Sequence, residues 1–247
     1  IKLPASITNA DSITFIDAQS WLLTGIQNNH EAPFVFTTND AGITWHQHKL
    51  PVPNANKAFQ TWQEGTGQFF SANEGLLTVR YLTKNGSPLA NANAFSPTDS
   101  ALAVYVTHDG GTSWSLLSSL QLAGEPQQGK YYSYGWPVFT DTQHGWIYQS
   151  SVTITGKELP ASNRLLTTTD GGKNWGPILV KMPGGQAGQT VTPDNAWSSE
   201  SNPYFISAKI GWLIGYYSPI KSDLLQNKLF KTIDGGQTWE TVQYSIT

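Results

Sequence analysis

Two glutamates, Glu64 and Glu200, each follow a tryptophan within a few residues. Their carboxyl groups could serve as the acid and the base of a catalytic pair. Two carboxyl groups held about 5 to 9 Å apart can cleave a glycosidic bond, one as acid and one as base or nucleophile. The alternative is that both are ordinary solvated charges, because any chain with 17 acidic residues contains pairs of this kind. Glu64 and Glu200 are the catalytic candidates, and the sequence alone compels no catalytic role for them.

Aromatic residues close to these glutamates form a second group of candidates, for ligand binding. Exposed aromatic rings can stack on sugars or grip a peptide, whereas the alternative is that they fill gaps between packed sheets. The candidate ligand-binding residues are Trp62, Trp136, Trp197, Tyr131, Tyr132 and Tyr134.

Other site chemistries receive little support. The five histidines are scattered; His46 and His48 share one face of a predicted strand, which is typical of surface imidazoles more than of a metal site. No phosphate-binding glycine loop or nucleophile elbow is present, and the Asp-x-Gly segments lack the closing glutamate of a calcium loop. We therefore predict no metal and no cofactor.

A short segment recurs four times and must position any site. The aspartates of this segment lie at positions 40, 109, 170 and 234, which divides the chain into four units of similar length. The copies are Thr38–Trp45 (TNDAGITW), Thr107–Trp114 (THDGGTSW), Thr168–Trp175 (TTDGGKNW) and Thr232–Trp239 (TIDGGQTW).

Each copy has the pattern of a β-hairpin. An apolar run precedes it, a second run starts at its tryptophan, and Asp-x-Gly lies between. Glycine at the second position after the aspartate tolerates positive φ, and the short carboxylate can accept backbone N–H bonds across the turn. The tryptophan then begins a strand and is predicted to lie in the core.

These residues resemble the Asp-box, or bacterial neuraminidase repeat, of β-propeller proteins. A second module precedes each box: a Phe, a turn and Gly-Trp, as in Phe139 with Gly145-Trp146 and Phe205 with Gly211-Trp212. This arrangement looks like the blades of the photosystem II assembly and stability factor group. Blade 2 departs from it with Leu76 in place of Trp, and blade 1 with Ser20 in place of Gly before Trp21. The resemblance assigns structural roles to Asp40, Gly42, Trp45, Asp109, Gly111, Trp114, Asp170, Gly172, Trp175, Asp234, Gly236 and Trp239.

The resemblance implies an all-β fold, a propeller of four-stranded antiparallel blades with four blades visible. Five blades, or a fragment of a larger ring, are the alternatives. We expect one domain, 1–247, with blades at about 12–50, 67–122, 137–182 and 203–245 and with residues 1–11 as an extra strand.

The resemblance also bears on function. The first expectation is a non-enzymatic binding or assembly module that holds a protein or a glycan; the alternative is an Asp-box glycoside hydrolase or lyase. Sialidases of this class clamp the substrate carboxylate with three arginines, and Lys does not replace an Arg fork. This chain has only Arg80 and Arg164. A conventional sialidase is therefore not expected.

Composition narrows the class of protein further. With a net charge of −3 and scattered lysines, the chain has no basic footprint for nucleic acid. Its apolar runs fall short of the ~20 residues that span a bilayer. The absence of cysteine excludes thiolate chemistry and disulfides. Richness in Asn, Gln, Ser, Thr and Trp with few Lys favours an exported or surface-attached bacterial protein.

The order of strands predicts where a site would lie. If each blade has four antiparallel strands, the boxes share one end of the sheets with the turns between first and second strands. The long segments, 25–33, 83–100, 153–163 and 216–227 within blades and 51–67, 120–135 and 181–203 between blades, then lie at the other end. Loops on a rigid scaffold concentrate binding residues. We expect function there, near Trp62, Trp136 and Trp197.

Overall fold

The structure is a computed structural model of the 247-residue chain. It describes residues 3–4, 7–27, 34–53, 59–83, 100–121, 130–153, 162–178, 180, 197–199, 202–217 and 227–243. Every regular secondary-structure element within these ranges is a β-strand. The strands are β1 (Ile7–Phe15), β2 (Trp21–Gln27), β3 (Phe34–Thr38), β4 (His46–Lys49), β5 (Phe59–Phe69), β6 (Gly75–Thr83), β7 (Ser100–Thr107), β8 (Ser115–Gln121), β9 (Lys130–Tyr134), β10 (Val138–Phe139), β11 (Gly145–Thr153), β12 (Ser162–Thr168), β13 (Gly176–Ile178), β14 (Trp197–Ser199), β15 (Tyr204–Phe205), β16 (Gly211–Tyr217), β17 (Asn227–Thr232) and β18 (Glu240–Thr241).

The strands form four antiparallel sheets, which we name blades 1 to 4. Blade 1 has the order β1-β2-β3-β4, and blade 2 has the order β5-β6-β7-β8. Blade 3 is β10-β11-β12-β13 with β9 also paired to β11, and blade 4 is β14-β16-β17-β18 with β15 also paired to β16. The predicted all-β fold of four-stranded antiparallel blades is confirmed.

The first strand of each blade starts before the predicted blade limit. Residues 7–11 continue β1 instead of forming an extra strand, and β5 already begins at Phe59. In blades 3 and 4 the first strand is broken into two pieces, on either side of Pro137 and Pro203. A proline has no N–H to give to a ladder, which explains both interruptions.

The chain divides into two compact units, residues 1–125 and 126–247. The first contains blades 1 and 2, and its core includes Leu22, Val35, Leu77 and Tyr105. The second contains blades 3 and 4, and its core includes Trp146, Leu165, Phe205, Leu213 and Trp239. In each of these two clusters the buried apolar residues come from the facing sheets of two consecutive blades. A smaller cluster of Ile7, Leu23, Phe34 and Phe36 lies within blade 1.

The four boxes share the hydrogen bonds of the Thr-x-Asp-x-Gly turn, whereas the indole N–H of the box tryptophan donates to the box glycine carbonyl in blades 2 and 4 but not in blades 1 and 3. In blade 2, Gly111 N donates to Thr107 Oγ1 at 2.9 Å, and that hydroxyl donates to Asp109 Oδ1 at 2.8 Å. Asp109 Oδ1 and Oδ2 then accept from the backbone and hydroxyl of Ser113. The glycine two residues after each aspartate has positive φ, from 82° at Gly42 to 95° at Gly236. The predicted box turn is therefore present four times.

Each box is also joined to the turn between the first and second strands of its own blade. The residue after the box aspartate donates its N–H to a carbonyl of that turn, as Gly110 does to Asn73 at 3.0 Å and Gly235 to Lys209 at 2.9 Å. The equivalent pairs in blades 1 and 3 are Ala41 with Gln19 and Gly171 with Gln143. Boxes and these turns therefore share one end of each sheet, as predicted; we call it the box end.

The Phe of each first strand packs across the first residue of the second strand. In blades 2, 3 and 4 that residue is glycine, and an added Cβ at Gly145 would lie 2.5 Å from the Phe139 ring. Blade 1 differs from the predicted register: Trp21 pairs with Phe15 at the glycine position. The Trp21 ring displaces Phe15 outward, to 65% exposure, and the fully buried Leu22 takes the place of Trp146. The predicted Ser20–Trp21 alignment was thus wrong by one residue.

Candidate functional site

The predicted ligand-binding tryptophans lie on strands and not in loops. Trp62 is on β5 opposite Tyr81, and Trp197 begins β14 opposite Tyr217. In both blades this is the part of the first strand away from the box end, as the expected site location requires. The loop assignment was wrong because the first strands extend beyond the segment that the Phe motif marks.

The tyrosine cluster of blade 3 follows the same plan. Tyr131, Tyr132 and Tyr134 are on β9, which pairs with the end of β11 far from the box. Trp136 comes after β9, just before Pro137, and is half-buried. Three blades therefore carry aromatic residues at the end of the first strand that is away from the box, although whether they bind a ligand stays a prediction.

The candidate carboxylates are not brought together by the described residues. Glu64 is on β5 opposite Arg80 of β6, and Glu200 lies outside the described residues. A cross-strand arginine is the neighbour expected for a structural carboxylate as well as for a catalytic one. The acid–base role of this pair therefore stays a prediction.

A cleft of about 620 Å³ lies at the box end of the first unit, between blades 1 and 2. Blade 1 contributes the turn after β1, with Asp17, and the strand β4, with His46 and His48. Blade 2 contributes Asn73 from its first turn and Asp109 from its box. The volume is in the range of small-molecule sites, ~300 to 1,000 Å³.

His48 lies at the junction of the two blades. Its Nε2 is 2.7 Å from Thr37 Oγ1, within hydrogen-bonding distance. Burial lowers the pKa of His48 and the neighbouring His46 adds to this effect, whereas Asp109 and a hydrogen bond to the Thr112 backbone oppose it. The ring is therefore held in its neutral form near pH 7.

The two carboxylates at the cleft are held ionised. The pKa of Asp17 is lowered by the backbone N–H groups of Gln19 and Ser20, which donate to Oδ1 at 2.7 Å. Burial acts to raise the pKa of Asp109, but the bonds from Ser113 and Thr107 outweigh it and the pKa is lowered. No Lys or Arg lies among the residues that line this cleft.

Sequence reasoning missed this cleft because it treated the box end as structural. The signal was present in the fourth strands, where blade 1 has His46 and His48 while blade 3 has Gly176 and Ile178 at the positions paired to the third strand. Within the described ranges, no three His, Asp or Glu side chains are grouped to hold a metal ion. Nor do these ranges contain a helix of the length and apolarity that crossing a membrane requires.

Residues 105–116, which include the blade 2 box, match the family model of the BNR/Asp-box repeat. A search of curated proteins found no match. Because the other three boxes repeat the hydrogen bond from the box glycine N–H to the threonine hydroxyl, the predicted Asp-box repeat is confirmed in all four blades.

Several solved structures are similar to this chain. The α-L-arabinofuranosidase arb93a of Fusarium graminearum superposes with a TM-score of 0.53 at 16% identity, over 96% of this chain and 66% of that one. A PL25 ulvan lyase gives 0.53 at 8% identity, over 94% of this chain and 54% of that one. YCF48 bound to a D1 peptide gives 0.24 at 16% identity, over 98% of this chain and 84% of that one, which is too low to carry an argument. This chain thus spans just under two thirds of the first enzyme and about half of the second, and the likeness concerns the fold.

Proposed function

Because this chain carries the Asp-box repeat in all four of its blades, we propose that it is a non-enzymatic binding or assembly module, exported or attached to a cell surface. It holds a protein or a glycan at the end of its blades opposite the boxes. One observation carries the proposal: Trp62 and Trp197 occupy matching places, on the first strands of blades 2 and 4 and opposite a tyrosine of the second strand.

The physical basis is the chemistry of aromatic rings on a rigid sheet. Indole rings offer a large apolar area with few rotatable bonds, so little conformational entropy is lost when they bind. Tyr81, which faces Trp62 across the strands, is buried in the core of the first unit and anchors this part of the sheet. The second strands end and the third strands begin at this same end of the blades, and the segments that join elements of a fixed scaffold commonly supply specificity. With no arginine cluster and few charges, the partner is expected to be recognised by stacking and hydrogen bonds.

The test is a binding screen with wild-type protein against oligosaccharide and peptide panels, read by thermal shift and then by calorimetry. Trp62→Ala and Trp197→Ala are expected to weaken binding of a hit by about tenfold, a loss of ~1.4 kcal/mol. The matched control is Tyr204→Ala, which removes an aromatic ring that is 64% exposed on the first strand of blade 4, next to the box end.

Two results would count against the proposal. One is a screen in which neither panel stabilises the protein. The other is a ligand that binds the folded fraction of both tryptophan variants as tightly as it binds wild type, while the melting temperature of the variants falls. Rings that only fill gaps between blades would behave in this way.

A glycoside hydrolase or lyase is the second candidate. It is favoured by the position of Glu64 on the same strand as Trp62, two residues further along the chain. The similar folds include an arabinofuranosidase and an ulvan lyase, and the shared fold makes the same panel of polysaccharides worth testing for turnover. Glu64→Gln and Glu200→Gln should each abolish turnover if this pair is the acid and base; turnover that survives both removes the pair from consideration.

A further inference from the structure

The two pairs of consecutive blades are built alike, so they can be compared position by position. In the second unit, Ile178 of blade 3 fills the space beside the blade 4 box, and its Cδ1 lies 3.1 Å from where a Cβ on Gly236 would be. In the first unit, His48 holds the equivalent position, paired to the third strand as Ile178 is. An apolar packing residue has thus been replaced by a polar one at the junction of blades 1 and 2.

This replacement runs against packing energetics. A half-buried imidazole needs hydrogen-bond partners that an isoleucine does not, and it fills the junction less well. Departures of this kind from an otherwise repeated pattern are concentrated at functional sites. The cleft at His48 is therefore the place at the box end where a ligand is expected.

The charge at the cleft indicates the sign of the ligand. Asp17 and Asp109 line it from opposite blades, and neither a lysine nor an arginine is among its lining residues. Lys209 is the residue of the second unit that is equivalent to Asn73. The equivalence follows because the backbone carbonyl of each accepts the N–H of the glycine after a box aspartate. The first unit has an uncharged amide where the second has a cation.

We propose that this cleft binds an organic cation, the ammonium or guanidinium group of a lysine or arginine side chain or of a polyamine. The carboxylates of Asp17 and Asp109 supply the opposite charge from two sides. The amide oxygen of Asn73 and that of Gln47, which also lines the cleft, are acceptors for N–H groups. His48 shapes the junction between them without adding a competing positive charge near pH 7.

The proposal concerns the box end and is independent of the function proposed for the opposite end. It predicts a saturable, salt-sensitive interaction, because rim carboxylates attract a cation through a field that ions screen. It also predicts discrimination by charge: a citrulline side chain, which has nearly the shape of arginine but no charge, should not bind.

The experiment titrates the full chain, by calorimetry and NMR, with N-acetylated and C-amidated Gly-Arg-Gly, with the citrulline counterpart and with spermidine. The repeats supply matched variants. Asp17→Asn removes one negative charge from the cleft, while the amide oxygen can still accept the hydrogen bonds of the turn. Asn73→Lys introduces the lysine that blade 4 has at the equivalent position, Lys209. Their controls are Asp141→Asn and Gln143→Lys, the same changes in the equivalent turn of blade 3.

The proposal requires that wild type bind the arginine peptide or spermidine, that Asp17→Asn and Asn73→Lys weaken this binding at least fivefold, and that both controls leave it unchanged. The comparison of peptide with spermidine identifies the source of the cation. Absence of binding by wild type, equal binding of the citrulline peptide, or equal loss in the blade 3 controls would each overturn it, the last because net charge alone would then explain the effect.

Discussion

Trp146 of blade 3 stacks flat on Phe205 of blade 4, with ring centroids 3.7 Å apart and planes 5° from parallel. The indole Nε1 also donates to the Gly235 carbonyl at 2.9 Å, so one side chain is fixed to both the first strand and the box of the next blade. Two separate sequence motifs, the Gly-Trp of one repeat and the box of the next, therefore meet at a single contact between blades.

Replacing Trp146 by alanine should lower the free energy of unfolding of the second unit by about 3–5 kcal/mol, as for other large buried aromatic residues. Trp146→Phe keeps the stack and loses the hydrogen bond, and should cost about 1 kcal/mol. Urea unfolding followed by far-UV circular dichroism measures both. Trp212→Ala, at the equivalent but half-buried position of blade 4, is the control and should cost less; equal losses at Trp146 and Trp212 would contradict the stacking argument.

The glycine that faces the Phe ring is required for space. An added Cβ at Gly211 would lie 2.5 Å from the Phe205 ring, so Gly211→Ala should destabilise by about 1–3 kcal/mol through overpacking. Gly176→Ala is the matched control because no atom lies within 4 Å of its added Cβ. Thermal unfolding of the two variants should separate them; a stable Gly211→Ala would show that Phe205 can move outward as Phe15 does.

The box threonine supplies a buried hydroxyl that satisfies a backbone donor. Thr107→Val leaves the Gly111 N–H without its acceptor and should cost about 1–3 kcal/mol. Thr112→Val, which removes an exposed hydroxyl of the same box, should change stability much less. Chemical denaturation of the two variants is the measurement, and similar effects at both positions would argue against the role given to the buried hydroxyl.

The boxes should make stability depend on pH in strongly acidic solution. Hydrogen bonds from the Thr44 side chain and backbone lower the pKa of Asp40 to about 2, and the Asn174 backbone and side chain do the same for Asp170. A carboxylate with a lowered pKa stabilises the fold above its ordinary pKa of 3.8, and this contribution is lost as the pH falls through about 2. Unfolding measured from pH 5 to pH 1.5 should show this decline, and it should be smaller in Asp40→Asn; an unchanged slope would refute the assignment.

His48 should add a second pH dependence at milder acidity. Its pKa is lowered from 6.5 in the fold, so the neutral ring is favoured by folding. This stabilisation is complete above pH 6.5. It is lost as the pH falls through the lowered pKa of the folded state, because the imidazole of the unfolded chain takes up a proton at a higher pH than that of the folded chain. His48→Ile, which introduces the residue that blade 3 has at this position, should remove this slope below pH 6.5 in unfolding measurements; a slope that persists in the variant would contradict the assignment.

The box hydrogen bonds and the four-bladed, all-β organisation could be predicted from the sequence because they rest on local chemistry. Thr, Asp and Gly lie within five residues of one another, so the geometry of each box is set by the turn itself, and four copies remove ambiguity. The Asp109 and Asp234 boxes form the same bonds although their neighbouring sequences differ. The shared end of boxes and first turns followed from the alternation of antiparallel strands.

The tertiary structure decided the features that depend on contacts between residues distant in the chain. It moved Trp21 to the glycine position, extended the first strands over Trp62 and Tyr132, and opened a polar cleft where His48 replaces an isoleucine. None of these can be deduced from a turn motif, because strand register and blade packing depend on cross-strand pairing and on shape at the facing surface. Local hydrogen bonds specified each blade, and long-range packing determined where a ligand could be held.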